Sequence, residues 1–214
     1  MSDLTTHAHV IPKTFYEVSA PSDFTPAPSP LPENVYIKAS VPFPTLLDDL
    51  STSEQADCLL GEAHIYERLA AHPHPHICEH YGYAGRDGLL TGLCLKKYRK
   101  SLYDAVNDGD EFDEDAVLSG VRSGLDHMHS MGLVHGDVSP SNIMLESQTI
   151  AVIVDFDSCL EIGSEVLLKG GTPPWTNESD VAQVISDFYA LNKIKEWLRE
   201  KRGKDTNGGV AAPV

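Results

Sequence analysis

Three oxygen-bearing side chains stand out by their spacing: Asp137, then Asn142 five residues later, then Asp155 thirteen residues after the asparagine. Carboxylate and amide oxygens are ligands that Mg²⁺ prefers, and a carboxylate can also accept a proton from a hydroxyl group. A loop aspartate can instead cap backbone amides, so one such residue alone would be weak support for a site. Three oxygen-bearing side chains at this ordered spacing indicate metal-dependent chemistry.

The two motifs that contain these residues resemble those of the protein-kinase superfamily. HGDVSPSN at 135–142 is similar to the catalytic loop H-x-D-x-x-x-x-N, and DFD at 155–157 is similar to the metal-binding D-F-G. More narrowly, the chain resembles the short kinase-like proteins of filamentous fungi, which combine HGDxxxxN with DFD. The resemblance extends over about 35–198.

The resemblance implies ATP and Mg²⁺ as cofactors and a role for each site residue. Asp137 would orient the acceptor hydroxyl and take its proton, and Asn142 and Asp155 would bind Mg²⁺. Lys38, in VYIK, would hold the phosphates of ATP and pair with Glu62 on the following helix.

Other positions are less distinctive. Lys38 could be an ordinary surface lysine and Glu62 a solvated helix residue, and Glu67 competes with Glu62 for the pairing. Asp187 resembles the helix aspartate that anchors the catalytic loop of kinases, although it could also face solvent. Gly-Thr at 171–172 resembles the end of a kinase activation segment.

The sequence also departs from the kinase pattern. No glycine precedes Gly61, so a glycine-rich lid over the phosphates is missing before the strand lysine. Gly136 replaces the usual arginine, Ser139 replaces the lysine of protein Ser/Thr kinases, and Asp157 replaces the glycine of D-F-G.

These departures leave three functions open. The first is an ATP- and Mg²⁺-dependent phosphotransferase with a serine or threonine acceptor on a protein. The second is a pseudokinase, a nucleotide-binding or protein-interaction module without turnover. The third is a small-molecule phosphotransferase similar to aminoglycoside and choline kinases, which share the HGD and DFD motifs.

The resemblance implies an α+β fold, a reduced two-lobed protein-kinase-like fold that is truncated after the helix carrying Asp187. The nucleotide cleft would lie between the lobes. Five prolines between residues 21 and 32 predict an extended or disordered N-terminal segment. The expected boundaries are 1–32 for that segment, 33–202 for the kinase-like domain (small lobe 33–97, large lobe 98–202) and 203–214 for a disordered tail.

Apolar periodicity and turn residues predict the elements that position these motifs. The expected helices cover 53–71, 101–106, 115–131 and 179–202, and the expected strands cover 35–38, 77–83, 89–97, 143–145 and 150–156, with a weak edge strand within 9–18.

The composition narrows the classes of molecule that the protein could bind and the compartment in which it could act. The formal net charge of −16 disfavours binding to nucleic acid or to anionic membranes. No apolar run is long enough to span a membrane, and four cysteines without a CxxC pair favour an intracellular, cytoplasmic or nuclear location. We expect a monomer whose partners are ATP and a protein substrate.

Two polar clusters have simpler interpretations. His72, His74, His76 and His80 alternate partly with prolines, which favours a helix-to-strand loop over a zinc site. The acidic run 108–115 is interpreted as a solvated loop and helix N-terminus, with contact to a basic substrate as the alternative.

Overall fold

A computed structural model describes residues 18–39, 54–166 and 171–207 of the chain. Most of the edge strand predicted within 9–18, and the last seven residues of the predicted tail, lie outside the described residues. The chain forms two compact units. The first combines Met1–Glu67 with His80–Leu95, and the second combines Arg68–Glu79 with Lys96–Val214.

In its described residues, the first unit consists of a four-stranded sheet and one helix. Strand β4 (Leu89–Lys96) pairs with each of the other three strands, and most of its residues are buried. The three partner strands of β4 are β1 (Val18–Ser19), β2 (Val35–Ala39) and β3 (His80–Arg86). The helix that follows β2 is α1 (Glu54–Ala70). Lys38 lies on strand β2, and Glu62 lies on helix α1.

The hairpin between β3 and β4 differs from the expected one. Its turn is the dipeptide Asp87-Gly88, with φ of 55° and 78°, so both residues are left-handed. This is the backbone geometry that two-residue hairpins favour, and Asp-Gly suits it. Because the turn has only two residues, strand β3 continues to Arg86 instead of ending at 83. Its first residue is His80, three residues after the predicted start at 77.

The described part of the segment predicted over 1–32 packs on the first unit. Phe24 is buried, with its ring 4.7 Å from the His64 imidazole in an edge-on contact. The Thr25 N–H and hydroxyl donate to the two carboxylate oxygens of Glu67, at 2.8 and 2.9 Å. One buried aromatic side chain and these hydrogen bonds hold the proline-rich chain on the unit, so folded structure begins before residue 33.

The part of the second unit that the structure describes contains three helices and two small sheets. Strands β5 (Lys100–Ser101), β7 (Ile143–Leu145) and β8 (Ala151–Ile153) form one antiparallel sheet, and β6 (Leu133–Val134) pairs with β9 (Leu160–Glu161). The helices are α2 (Leu102–Asn107), α3 (Glu114–Ser130) and α4 (Val184–Asn207). Strands β6 and β7 flank the loop that carries Asp137 and Asn142.

Residues 68–79 belong to the second unit, although the predicted small lobe 33–97 included them. Ile77 forms a parallel bridge with Ile153 of β8. The Cys78 N–H donates to the Ile153 carbonyl at 2.9 Å, and the Ile153 N–H donates to the His76 carbonyl at 2.9 Å. This backbone pairing holds the end of the helix-to-strand loop against β8.

Helix α4 differs from the prediction at both ends. Val181 forms a bridge with Glu165 instead of starting the helix, which begins at Val184 rather than at 179. It continues to Asn207, so residues 203–207 of the predicted disordered tail are helical. None of the helices in the described part of the chain combines the length and apolar character needed to cross a membrane.

Candidate functional site

His135 fixes the start of the loop between β6 and β7. Its side chain is fully buried, and its ring packs edge-on against Phe156 at 5.4 Å. His135 Nε2 lies 3.1 Å from the Val154 carbonyl, and Nδ1 accepts the Asp137 N–H at 3.2 Å. Because a carbonyl can only accept, Nε2 carries the proton, and the ring ties the loop to the strand that leads to Asp155.

Asp187 anchors the same loop from the first turn of α4. Its Oδ2 accepts from His129 Nε2 at 2.8 Å and from the His135 N–H at 2.9 Å, and its Oδ1 accepts from the Gly136 N–H at 3.0 Å. The side chain is 1% exposed. The prediction that Asp187 anchors this loop is therefore confirmed.

The geometry of Gly136 explains the missing arginine at this position. Gly136 has φ of 80°, a left-handed conformation that side chains rarely adopt. A Cβ atom there would lie 2.6 Å from the Ser158 carbonyl oxygen. Only glycine fits, so the loop presents no cation at residue 136.

Asp137 is held by donors from two directions. Its Oδ1 accepts the Thr172 N–H at 2.7 Å, and its Oδ2 accepts the Thr172 hydroxyl at 3.2 Å. Asn142 Nδ2 donates to Asp137 Oδ2 at 3.1 Å and to the Asp137 carbonyl at 2.9 Å. Four hydrogen bonds thus fix the orientation of this residue and its carboxylate.

These bonds also orient the Asn142 amide. Because Nδ2 donates twice to Asp137, the amide oxygen is directed elsewhere, and it accepts no hydrogen bond within the described ranges. The Val154 N–H donates to the Asn142 carbonyl at 3.0 Å, which joins the loop to the residue before Asp155. Asp155 itself has φ of 68°, an uncommon conformation for a residue other than glycine.

Asn142 and Asp155 offer oxygen donors of the kind that Mg²⁺ binds. No group of three or more His, Cys, Asp or Glu side chains that could enclose a metal occurs among the described residues. Mg²⁺ is commonly bound by only one or two carboxylates, with water and substrate phosphates as its other ligands. The donor set therefore fits Mg²⁺ bound together with a phosphorylated substrate.

In the first unit, Lys38 and Glu62 form an ion pair. Lys38 Nζ lies 2.8 Å from each oxygen of the Glu62 carboxylate. The Glu62 side chain is 2% exposed, whereas that of Lys38 is 27% exposed. Glu67, the competing candidate, instead accepts two hydrogen bonds from Thr25. The structure thus pairs Lys38 with Glu62.

The histidines of the α1–β3 loop do not converge. His76 Nδ1 lies 2.7 Å from the Ala151 carbonyl, while the His74 ring stacks on that of His127 at 4.8 Å. His80 lies in β3 of the first unit, where its side chain is 2% exposed. The His74 and His76 rings also lie 5.6 Å from each other, but among the described residues no three His, Cys, Asp or Glu side chains come together as they would around a metal.

Thr172 was not among the predicted site residues. Its sequence signal was the Gly-Thr pair at 171–172, but Thr172 is 35 residues from Asp137, and nothing local indicates their contact. His129 gave no signal at all, since it is one of many histidines in the chain.

Comparison with known proteins places the chain in a family. The model of the protein kinase domain matches residues 46–188, about two thirds of the chain, a range that includes Asp187 but not Lys38. A dual serine/threonine and tyrosine protein kinase of Gallus gallus is 30% identical over 97 residues, which are 44% of this chain and 10% of that protein. Sperm motility kinase 2B of Mus musculus is 32% identical over 114 residues, or 51% of this chain and 22% of that protein.

A shorter match is the serine/threonine-protein kinase ELM1 of Saccharomyces cerevisiae, 42% identical over 45 residues, which are 21% of this chain and 7% of that protein. The matched stretches thus span less than a quarter of these relatives. The family match covers the loop that carries Asp137 and the helix residue that anchors it. The chain belongs to the protein kinase domain family.

Proposed function

We propose that the chain is an ATP- and Mg²⁺-dependent phosphotransferase that acts on a serine or threonine hydroxyl of a protein. The observation that carries this proposal is the constraint on Asp137, whose carboxylate is fixed by Thr172 and Asn142 in a loop anchored by Asp187. A carboxylate that is held in one orientation can position an acceptor hydroxyl and accept its proton.

Asn142 and Asp155 are the proposed ligands for Mg²⁺. When bound, the cation would neutralise charge on the transferred phosphate. The hydrogen bonds from Asn142 to Asp137 give the amide a second role, because they align the proposed base with the amide oxygen that would bind the metal. Family membership and the oxygen chemistry of this donor set support the assignment.

Lys38 is proposed to hold the phosphates of ATP. The Glu62 carboxylate is almost fully buried and contacts the ammonium group with both oxygens. This contact restricts a long and flexible side chain, while part of the lysine remains exposed to solvent. The pair would therefore present a preoriented positive charge to a phosphate group.

A second candidate is a nucleotide-binding module without turnover. Ser139, at the position where the resemblance implies a lysine, is 3% exposed and supplies no cation. No glycine precedes Gly61, so the N-terminal part of the chain contains no glycine-rich lid. Both features remove groups that would neutralise or enclose the phosphates.

A thermal-shift experiment tests the metal assignment. We expect ATP with Mg²⁺ to stabilise the wild type, by about 2.7 kcal/mol at a ligand concentration one hundred times Kd. Asp155→Asn should abolish most of the Mg²⁺-dependent part of this shift. The exposed control Asp126→Asn should retain it. An equal shift with and without Mg²⁺ in the wild type would contradict the role of Asp155.

Turnover measured on the same samples separates the two candidates. Transfer of the labelled γ-phosphate to a mixture of basic proteins supports the enzyme. Binding of Mg²⁺ and ATP without transfer to the proteins or to the chain itself favours the binding module.

A further inference from the structure

Three aromatic side chains of the second unit form a cluster, made of Tyr103 on α2, Trp197 on α4 and Trp175 in the segment before α4. The Tyr103 and Trp197 rings are parallel to within 3°, with centroids 6.2 Å apart. Trp175 meets Trp197 edge-on at 5.8 Å, with an interplanar angle of 84°. Tyr103 is 46% exposed, so the cluster is open to solvent.

Two backbone hydrogen bonds tie this aromatic cluster to the surroundings of Asp137. The Tyr103 N–H donates at 3.0 Å to the carbonyl of Pro140, within the loop that carries Asp137. The Trp175 N–H donates at 2.8 Å to the carbonyl of Thr172, the residue that donates to the Asp137 carboxylate. The cluster is thus held beside the carboxylate proposed to orient the acceptor hydroxyl.

A cavity of about 720 Å³ lies beside α4, where Leu198, Lys201 and Arg202 contribute to its lining. Its lining includes five carboxylates and two cations: Asp110, Glu111, Asp113, Glu114, Asp115, Lys201 and Arg202. Lys201 connects the two features, because it lines the cavity and its Nζ lies 5.8 Å from the centroid of the Trp197 ring.

The charges of this cavity are only partly compensated from within the protein. Arg202 pairs with Glu114, and Lys100 pairs with Asp110. Glu111 and Asp115 are exposed and form no ion pair with the described residues. The cavity therefore retains a negative surface that a cationic ligand would complement.

We propose that the aromatic cluster and this acidic cavity bind a basic, arginine-containing segment of the acceptor protein. A guanidinium group stacks on aromatic faces and pairs with carboxylates, so one side-chain type matches both parts of the surface. An acidic segment would be repelled by the cavity and by the net charge of −16. This inference rests on the proposed function only for its link to the acceptor, since it can be tested without turnover.

Peptide binding to the full chain, measured by fluorescence anisotropy without nucleotide, tests the inference. The probe is a short labelled peptide with one serine flanked by arginines, and its control replaces every arginine by citrulline, which is uncharged and similar in shape. We expect the arginine peptide to bind and the citrulline peptide to bind at least about tenfold more weakly.

Matched variants locate the binding surface. Tyr103→Ala should raise the Kd of the arginine peptide about three- to tenfold, because it removes an exposed stacking face. Glu111→Gln combined with Asp115→Asn should weaken binding and reduce its dependence on salt. Tyr189→Ala, an exposed tyrosine of α4 outside the cluster, should leave the Kd unchanged.

Trp197→Phe retains an aromatic ring and should bind more tightly than Trp197→Ala, and circular dichroism checks that both variants fold. Equal affinity for the two peptides, or no effect of Tyr103→Ala, would overturn the inference. Arginine-dependent binding that Tyr103→Ala weakens would support it even if no phosphoryl transfer were detected, in which case only the proposed enzyme activity fails.

Discussion

Replacing Asp187 by asparagine should be among the most destabilising conservative changes in the second unit. The buried carboxylate accepts three hydrogen bonds, from His129, from the His135 N–H and from the Gly136 N–H. An asparagine oxygen could keep the bonds to His129 and His135, but its NH₂ group would then face the Gly136 N–H. One bond is lost, a buried donor is left unsatisfied, and the remaining bonds lose their charge.

The magnitude follows from those losses. A hydrogen bond to a charged group contributes about 1.5–3 kcal/mol, and an unsatisfied buried donor costs about 1–3 kcal/mol. Asp187→Asn should therefore lower the free energy of unfolding by about 3–5 kcal/mol. For a chain of this size, that corresponds to a fall in Tm of roughly 6–20 °C.

Urea unfolding followed by circular dichroism measures this change, and Asp126→Asn is the matched control. Asp126 is 53% exposed and pairs with Arg122 one helical turn away, so its replacement should cost about 0.5 kcal/mol or less. If Asp187→Asn costs less than about 1 kcal/mol, the three hydrogen bonds do not anchor the loop as described.

Two further changes test the first unit. Glu62→Gln should lower the rate of phosphoryl transfer about 100-fold, because Lys38 loses its orienting partner. The control Glu67→Gln should keep a rate near that of the wild type. An equal loss of rate in both variants would contradict the specific role of Glu62. Burial lowers the pKa of His80, and Glu67 at 4.0 Å partly opposes this shift. As the pH falls below about 6.5, the unfolded chain therefore binds a proton before the folded chain does. The free energy of unfolding then falls by up to about 1.4 kcal/mol per pH unit until the lowered pKa of His80 is reached. His80→Leu should reduce that slope in urea unfolding series at several pH values, and an unchanged slope would rule out His80 as its source.

The long helices could be predicted from the sequence because their signals are local. The helices predicted over 53–71 and 115–131 are confirmed, at Glu54–Ala70 and Glu114–Ser130. In α3, the Asp113 carboxylate accepts the Ala116 N–H at 2.9 Å, and the buried residues follow a helical period. An N-cap and an apolar stripe are both contained within a few turns of chain.

The shortest strands could not be predicted for the opposite reason. Strands β5, β6 and β9 have two residues each, too few to show an alternating pattern. They exist because a partner strand from a distant part of the chain supplies their hydrogen bonds. The packing of residues 18–27 was missed similarly, since it depends on one buried phenylalanine, Phe24, in a proline-rich stretch.

The same distinction applies to the candidate site. Asp137 and Asn142 are five residues apart, so their association can be inferred from one motif. Choosing between Glu62 and Glu67 required the structure, because both lie on α1 and only the fold determines which carboxylate reaches Lys38. Contacts across many residues, such as Thr172 with Asp137, have no local signature.

The most direct test of the central proposal compares Asp137→Asn with the wild type in two assays on the same preparations. If Asp137 orients the acceptor hydroxyl and accepts its proton, the variant should transfer phosphate to a basic protein mixture about 10²–10⁴-fold more slowly. Its affinity for ATP should be nearly unchanged, because the carboxylate acts on the acceptor rather than on the nucleotide. A wild type that transfers phosphate no faster than Asp137→Asn would contradict the account.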